Sequence, residues 1–66
     1  MKIYVIEEDY GTRTQVYPKA STDKNTLVNE YISNYGNIMY FNEDNNIIYY
    51  TNDDTPAGEV IELYQI

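Results

Sequence analysis

The sequence predicts a small α+β domain in which one helix packs on a curved, mostly antiparallel sheet, with the element order ββαβββ. Three observations support this fold class: strand-like segments at both ends of the chain, one stretch with helical spacing, and turn-forming residues between them. The 66 residues have room for a single domain spanning 1–66. A core of this size is marginal, so tight packing or a partner chain must supply stability.

The first two predicted strands form a hairpin. Lys2–Glu8 alternates loosely in β-branched and aromatic residues, as strands do. Gly11 suits a turn over 9–12, and Arg13–Tyr17 then returns as a second strand that stops at Pro18.

The segment after this hairpin has the spacing of a helix. Three successive N-cap candidates occupy 21–23, and Gly36 suits a left-handed C-terminal cap. We expect a helix of about three and a half turns between them. Five apolar or aromatic residues fall on one face of that helix: Leu27, Val28, Tyr31, Ile32 and Tyr35.

Three more strands are predicted after Gly36, over 37–42, 47–51 and 59–66, with a polar loop over Asn52–Gly58. The turn between the first two is either Asn45–Asn46 or all of 43–46, and both choices give the same faces. The residues expected to face the helix are Met39, Phe41, Ile48 and Tyr50, followed in the last strand by Ile61 and Leu63. Those expected to face away are Tyr40, Asn42, Ile47, Tyr49 and Thr51, followed by Glu62 and Tyr64.

Charge is distributed unevenly along the chain, which carries a net −7. Residues 1–33 hold four basic and five acidic side chains, whereas residues 34–66 hold six acidic ones and no basic one. The second half therefore cannot form ion pairs within itself, and its acidic side chains repel one another. Such a field suits a positively charged partner surface and disfavours direct binding to nucleic acid.

Several function classes are disfavoured by what the sequence lacks. Without histidine and cysteine, we expect neither an enzyme nor a cofactor. The acidic segments 43–46 and 52–54 lack the ligand spacing of a calcium loop, so we expect no metal site. No run approaches the roughly 20 apolar residues of a membrane span. The N-terminus opens directly into a strand, which predicts a location in the cytoplasm of a host cell.

The small size, the acidity and the tyrosine- and asparagine-rich sheet face resemble the inhibitors that phages and mobile elements make against host nucleic-acid enzymes. Anti-CRISPR proteins and uracil-DNA glycosylase inhibitors are examples of these families. The resemblance implies a non-catalytic inhibitor that occupies the basic nucleic-acid-binding surface of a host defence enzyme by DNA mimicry. A CRISPR–Cas nuclease is the leading candidate partner.

The predicted partner-binding surface lies on the C-terminal strands and their turns. Its members are Tyr40, Asn42, Glu43, Asp44, Tyr49, Asp53, Asp54, Glu62 and Tyr64. Large rigid tyrosine rings lose little entropy on docking, and their hydroxyls can bond at a wet rim. The alternative is a small homodimeric structural or regulatory module that uses the tyrosine face to complete its own core, with acidity serving solubility alone. A monomer in solution favours the inhibitor, and a dimer favours the module.

Overall fold

The computed structural model describes the backbone of residues 1–64 and the side chains of residues 1–63. It confirms the α+β class and the order ββαβββ. The elements are β1 (Lys2–Asp9), β2 (Thr14–Val16), α1 (Lys24–Asn34), β3 (Met39–Asn42), β4 (Ile47–Tyr50) and β5 (Pro56–Tyr64).

The five strands form one open sheet in the order β2-β1-β5-β4-β3, with every neighbouring pair antiparallel. The first and last strands therefore lie side by side at the centre, in register from Lys2 opposite Tyr64 to Glu8 opposite Gly58. The hairpin β3–β4 extends the sheet on one side, and short β2 ends it on the other. This strand order pairs the first strand of the chain with the last, and no local sequence pattern specifies such a pairing.

Helix α1 packs on one face of the sheet, and both its ends have the predicted local signals. The Asp23 carboxylate accepts hydrogen bonds from the amides of Asn25 and Thr26, at 3.0 and 3.3 Å, and so caps the N-terminus. Gly36 has a φ of 79°, the left-handed conformation that ends a helix. With 11 residues α1 is too short to cross a membrane, and no other helix occurs among the described residues.

The turn between β3 and β4 is the longer of the two that the sequence allowed. Asn42 pairs with Ile47, so the loop contains the four residues 43–46. Asn46 takes the left-handed conformation, with a φ of 59°. The Asn45 side chain accepts a hydrogen bond from the Ile47 amide at 3.1 Å, which fixes the exit from the loop.

The core lies between α1 and the sheet and contains four of the five residues predicted for the helix face, together with several strand residues, whereas Tyr35 is 42% exposed. Leu27, Val28 and Tyr31 of α1 are buried, and Ile32 packs at the edge of the cluster. The sheet contributes Met39, Ile48, Ile6, Ala57 and Val60, Tyr17 joins from the end of β2, and Tyr4, Phe41 and Tyr50 pack partly buried beside them.

The facing of the last strand differs from the prediction. Ile6 pairs with Val60 and Tyr4 with Glu62, which puts Val60 and Glu62 on the helix side. Ile61 and Leu63 therefore face away from the helix, not inward. The predicted facing of Glu62 is wrong for the same reason. The side chain of Tyr64 lies outside the described residues.

Gly58 and a β-bulge explain this register. A Cβ atom at Gly58 would lie 3.0 Å from the Glu7 carbonyl oxygen, so a larger residue would have to push β1 slightly away, and glycine favours this close pairing. The pairing of β4 with β5 shifts between Ile48 and Tyr49, which adds one residue on the β5 side. Segment 56–58, predicted as loop, is consequently the start of β5, with Pro56 in the first position of the strand, where proline is tolerated.

The sheet face opposite α1 is termed the open face. Its members, assigned by alternation and register, are Ile3, Val5, Glu7, Asp9, Thr14, Val16, Tyr40, Asn42, Ile47, Tyr49, Glu59, Ile61 and Leu63. The predicted facing of β3 and β4 is confirmed, since Tyr40 pairs with Tyr49 and Asn42 with Ile47. The open face thus mixes apolar, aromatic and acidic side chains.

A buried carboxylate sits under the C-terminal end of α1. Glu8 is 3% exposed, and its Oε2 atom accepts hydrogen bonds from the hydroxyls of Tyr31 and Tyr35, each at 3.0 Å. The Tyr31 ring also meets the Tyr17 ring edge-on, with centroids 4.9 Å apart. Burial, followed by the hydrogen bond to Glu8, raises the pKa of Tyr31 well above its ordinary value. The hydrogen bond to Glu8 is the main cause of the raised pKa of Tyr35.

These raised pKa values predict a loss of stability at alkaline pH. The unfolded chain releases tyrosine protons near the ordinary pKa of 10.0, whereas folded Tyr31 and Tyr35 retain theirs. Their contribution is therefore complete below about pH 10 and declines as the pH rises toward the folded pKa values. Melting temperatures between pH 8 and 11.5 should fall from about pH 10, and the fall should be shallower in Tyr31→Phe. Parallel profiles for the two proteins would contradict this assignment.

Candidate partner-binding surface

A stacked pair of tyrosines lies on the open face near the β3 edge. Tyr40 and Tyr49 are cross-strand partners, and their rings stack with centroids 5.5 Å apart and planes 24° from parallel. Such a pair offers a broad, rigid contact area. Tyr40 is 38% exposed, so part of this area is accessible to a partner.

Hydrogen bonds from the two adjoining loops hold the tyrosine pair in place. The Tyr40 hydroxyl donates to Asp54 in the loop after β4 at 2.8 Å. The Asn45 side chain, in the turn before β4, donates to the Tyr49 hydroxyl at 2.7 Å. The bond to the Asp54 carboxylate is the main cause of the raised pKa of Tyr40, and burial adds to it. Both rings are thereby fixed to the turns that bear the acidic residues.

The acidic residues of this region fall into two groups at opposite ends of β4. Glu43 and Asp44 lie in the turn before the strand, and Asp53 and Asp54 lie in the loop after it. All four are exposed. The four residues of β4 rise about 13 Å, so the groups are separated by roughly that distance or more. These four residues are termed the hairpin acids.

Hydrogen bonds within the loops shape the backbone around the hairpin acids. The Asn42 side chain accepts from the Asp44 amide at 2.9 Å, and Asp53 accepts from the Thr55 amide at 3.0 Å. Asp54 has a φ of 58°, a conformation that aspartate tolerates better than most residues. Their carboxylates are therefore presented by ordered turns, which favours a defined spatial pattern of charge.

The structure brings most of the predicted site residues together. Seven of them lie on the open face near the β3 edge or at the two ends of β4: Tyr40, Asn42, Tyr49, Glu43, Asp44, Asp53 and Asp54. Glu62 is on the helix side and cannot share their surface. For Tyr64 the structure gives a strand position opposite Lys2 and no side-chain placement.

Two of the basic side chains form ion pairs away from this surface. Lys2 lies 3.0 Å from Glu62, near the N-terminal end of β1. Lys19 pairs with Glu30 of α1. Both pairs are largely solvent-exposed and contribute little to stability, but they neutralise two acidic groups on the helix side.

The other two basic side chains lie over aromatic rings, and Lys24 also donates from Nζ to the Asn46 side chain, in the turn before β4, at 3.2 Å. The Arg13 guanidinium is 5.3 Å from the centre of the Tyr10 ring. Lys24 of α1 lies 6.0 and 5.9 Å from the ring centres of Tyr4 and Phe41. Each basic residue of the chain therefore has an intramolecular partner, and none is among the open-face positions.

Most acidic residues contrast with these basic ones. Within the described part of the chain, seven carboxylates form no ion pair, are not buried and do not cap the helix: Glu7, Asp9, Glu43, Asp44, Asp53, Asp54 and Glu59. Three of them accept hydrogen bonds from uncharged donors, which leaves their charge in place: Asp9, Asp53 and Asp54. Of the seven, three belong to the open face and four are the hairpin acids. The uncompensated charge is therefore concentrated on the open face and its β4 end loops.

Sequence reasoning did not place Glu7 and Glu59 in the site. They pair directly across the two central strands, in one row with Val16, Ile47 and Asn42. A depression of ≈ 270 Å³ beside them is lined by Glu7, Asp9, Thr14, Ile47, Pro56, Gly58 and Glu59. The described residues nowhere bring three carboxylates close enough together to hold a metal ion.

Comparisons with known proteins add no relative, since no family model, no curated protein and no solved structure matches the chain.

Proposed function

We propose that this protein is a non-catalytic inhibitor that binds the basic nucleic-acid-binding surface of a host defence enzyme as a one-sided acidic mimic of DNA. A CRISPR–Cas nuclease is the first target class to test. The observation that carries the proposal is the separation of charge: the basic side chains are engaged within the chain, whereas uncompensated carboxylates occupy the open face and the hairpin loops.

The spacing of the hairpin acids supports this proposal. Their two groups lie beyond opposite ends of β4, so they are separated by about 13 Å or more, a span of the same order as the roughly 12 Å width of the major groove of B-DNA. Two acidic loops at this distance can stand in for phosphates on either side of a groove. The stacked pair Tyr40 and Tyr49 lies between them and supplies apolar contact area that charge alone does not provide.

Neutralising hairpin acids should slow association with the target. Glu43→Gln/Asp44→Asn removes two exposed charges at one end of β4 and keeps side-chain shape. Because steering acts on the encounter, we expect the association rate constant to fall several-fold at low salt with little change in the dissociation rate. The rates are measured on guide-loaded CRISPR–Cas nucleases, and displacement of a fluorescent target duplex is followed in parallel.

The matched control removes the same two residue types from the helix side. Asp23→Asn/Glu30→Gln loses equal charge, and asparagine caps a helix as well as aspartate does. We expect this variant to associate nearly as fast as the unmodified protein. Equal slowing by the two variants would show that association depends on net charge and not on the position of the acidic residues. A nuclease that retains its DNA in the presence of the protein would refute mimicry.

A further inference from the structure

The open face is unusually apolar along its two central strands. Val5 pairs with Ile61 and Ile3 with Leu63, so four aliphatic side chains form a continuous patch beside Ile47. Leu63 retains 47% of its accessible surface. A sheet face left to water normally alternates to polar residues, and α1 covers the opposite face. This patch therefore has the composition of a surface that is covered by another molecule.

An acidic row borders the patch. Glu7 and Glu59 stand directly opposite each other on β1 and β5, a placement that destabilises a sheet when both side chains carry the same charge. Neither forms an ion pair or a side-chain hydrogen bond with any residue the structure describes. Nothing in the packing requires carboxylates here, since both side chains project from the open face. The repulsion between these two carboxylates lowers stability, and no interaction among the described residues offsets it. This points to a positive charge supplied by another molecule.

We propose that the open face is the docking surface for a partner protein that lays apolar side chains on the aliphatic patch and seats one arginine between Glu7 and Glu59. The inference rests on the proposed function for the basic character of the partner and adds where and how that partner is held. Arginine suits the site better than lysine, because its planar fork can donate to both carboxylates at once. The adjoining depression gives the side chain room to enter.

A second copy of this chain fits the face poorly. A standard interface buries about 800 Å² of surface on each partner. The five aliphatic side chains of the patch offer less area than this. A symmetric dimer of that size through this face would also bury Glu7 and Glu59 of both copies, bringing four carboxylates into one interface without a cation. Charge complementarity thus favours a foreign, basic partner.

The test uses a probe that needs no nuclease. Amide spectra of the ¹⁵N-labelled protein are titrated with a capped Leu-Arg-Leu tripeptide and with its citrulline analogue, which keeps shape and removes charge. We expect the arginine peptide to shift the amide signals of residues 5–7 and 59–61. The citrulline peptide should bind these residues with an affinity at least about fivefold lower. Shifts of equal size with both peptides would overturn the proposal.

Paired variants separate this face from the hairpin acids. Glu7→Gln/Glu59→Gln should abolish the preference for arginine over citrulline, whereas Glu43→Gln/Asp44→Asn, which loses equal charge, should retain it. The first variant should also melt at the same or a higher temperature, because like-charge repulsion is relieved. A lower melting temperature, a preference that follows the hairpin acids, or a dimer in sedimentation with Val5 and Leu63 at its interface would each overturn the inference. Failure to displace DNA from a nuclease would refute the proposed function and leave this titration unaffected.

Discussion

Leu27→Ala is expected to lower the free energy of unfolding by about 2–5 kcal/mol. Leu27 lies on the buried face of α1 and is 2% exposed, in one cluster with Ile6 and Ile48. Truncation leaves a cavity in a core too small to rearrange around it. Because a domain of this length has a total stability of roughly 3–10 kcal/mol, the variant should be largely unfolded or close to its midpoint near 37 °C. Urea unfolding followed by far-ultraviolet circular dichroism measures the loss.

Leu63→Ala is the matched control, since it removes the same atoms from the opposite face. Leu63 is 47% exposed on the open face, and we expect its truncation to cost about 1 kcal/mol or less. The comparison also tests the register of β5. If Leu63 faced the helix, as predicted for the last strand from the sequence, the two variants would lose similar amounts. Equal losses would therefore contradict the observed pairing of Ile3 with Leu63.

Features that depend on neighbours in sequence could be predicted. The cap at Asp23 and the left-handed residue at Gly36 act within one helical turn, so residue type alone marks the ends of α1. The facing of Tyr40 and Tyr49 follows from alternation across a hairpin with a short loop. These local rules account for the helix, the β3–β4 hairpin and the tyrosine part of the candidate surface.

The facing of β5 could not be predicted because its neighbourhood is set by distant residues. β1 and β5 carry apolar side chains on both faces, so alternation does not say which face is buried. Pro56 and Gly58 resemble loop residues, yet the first begins β5 and the second allows the Glu7 carbonyl to approach. The register depends on that close approach and on the bulge between β4 and β5, neither of which has a local sequence signature.

The acidic residues show the same division. The hairpin acids lie in turns and were placed correctly by turn chemistry. Glu7 and Glu8 are adjacent in sequence but have opposite environments: Glu7 faces outward opposite Glu59, and Glu8 is buried beneath α1. The difference arises from the one-residue alternation of β1 combined with the position of α1, which places Tyr31 and Tyr35 over one side. The sequence alone therefore does not distinguish the two glutamates, and both are expected to be solvated.

Glu8→Leu is expected to lower the free energy of unfolding by about 2–4 kcal/mol, despite replacing a charged group with an apolar one. The substitution leaves the Tyr31 hydroxyl buried without its acceptor, whereas Tyr35 is 42% exposed and can donate to water. Tyr31→Phe should also be destabilising, by about 1.5–3 kcal/mol, because the buried carboxylate loses one of its two donors. Glu8→Gln keeps an acceptor oxygen and should cost less than Glu8→Leu.

The double variant Glu8→Leu/Tyr31→Phe distinguishes a hydrogen-bonded pair from two independent packing sites. It removes the buried acceptor and the buried donor together, so neither remains unsatisfied. We therefore expect its loss of unfolding free energy to be smaller than the sum of the two single losses by about 1 kcal/mol or more. Urea unfolding of the four proteins at pH 7 completes the cycle. Strictly additive losses would mean that the hydroxyl and the carboxylate do not stabilise each other, and that the structure buries Glu8 for reasons other than this bond.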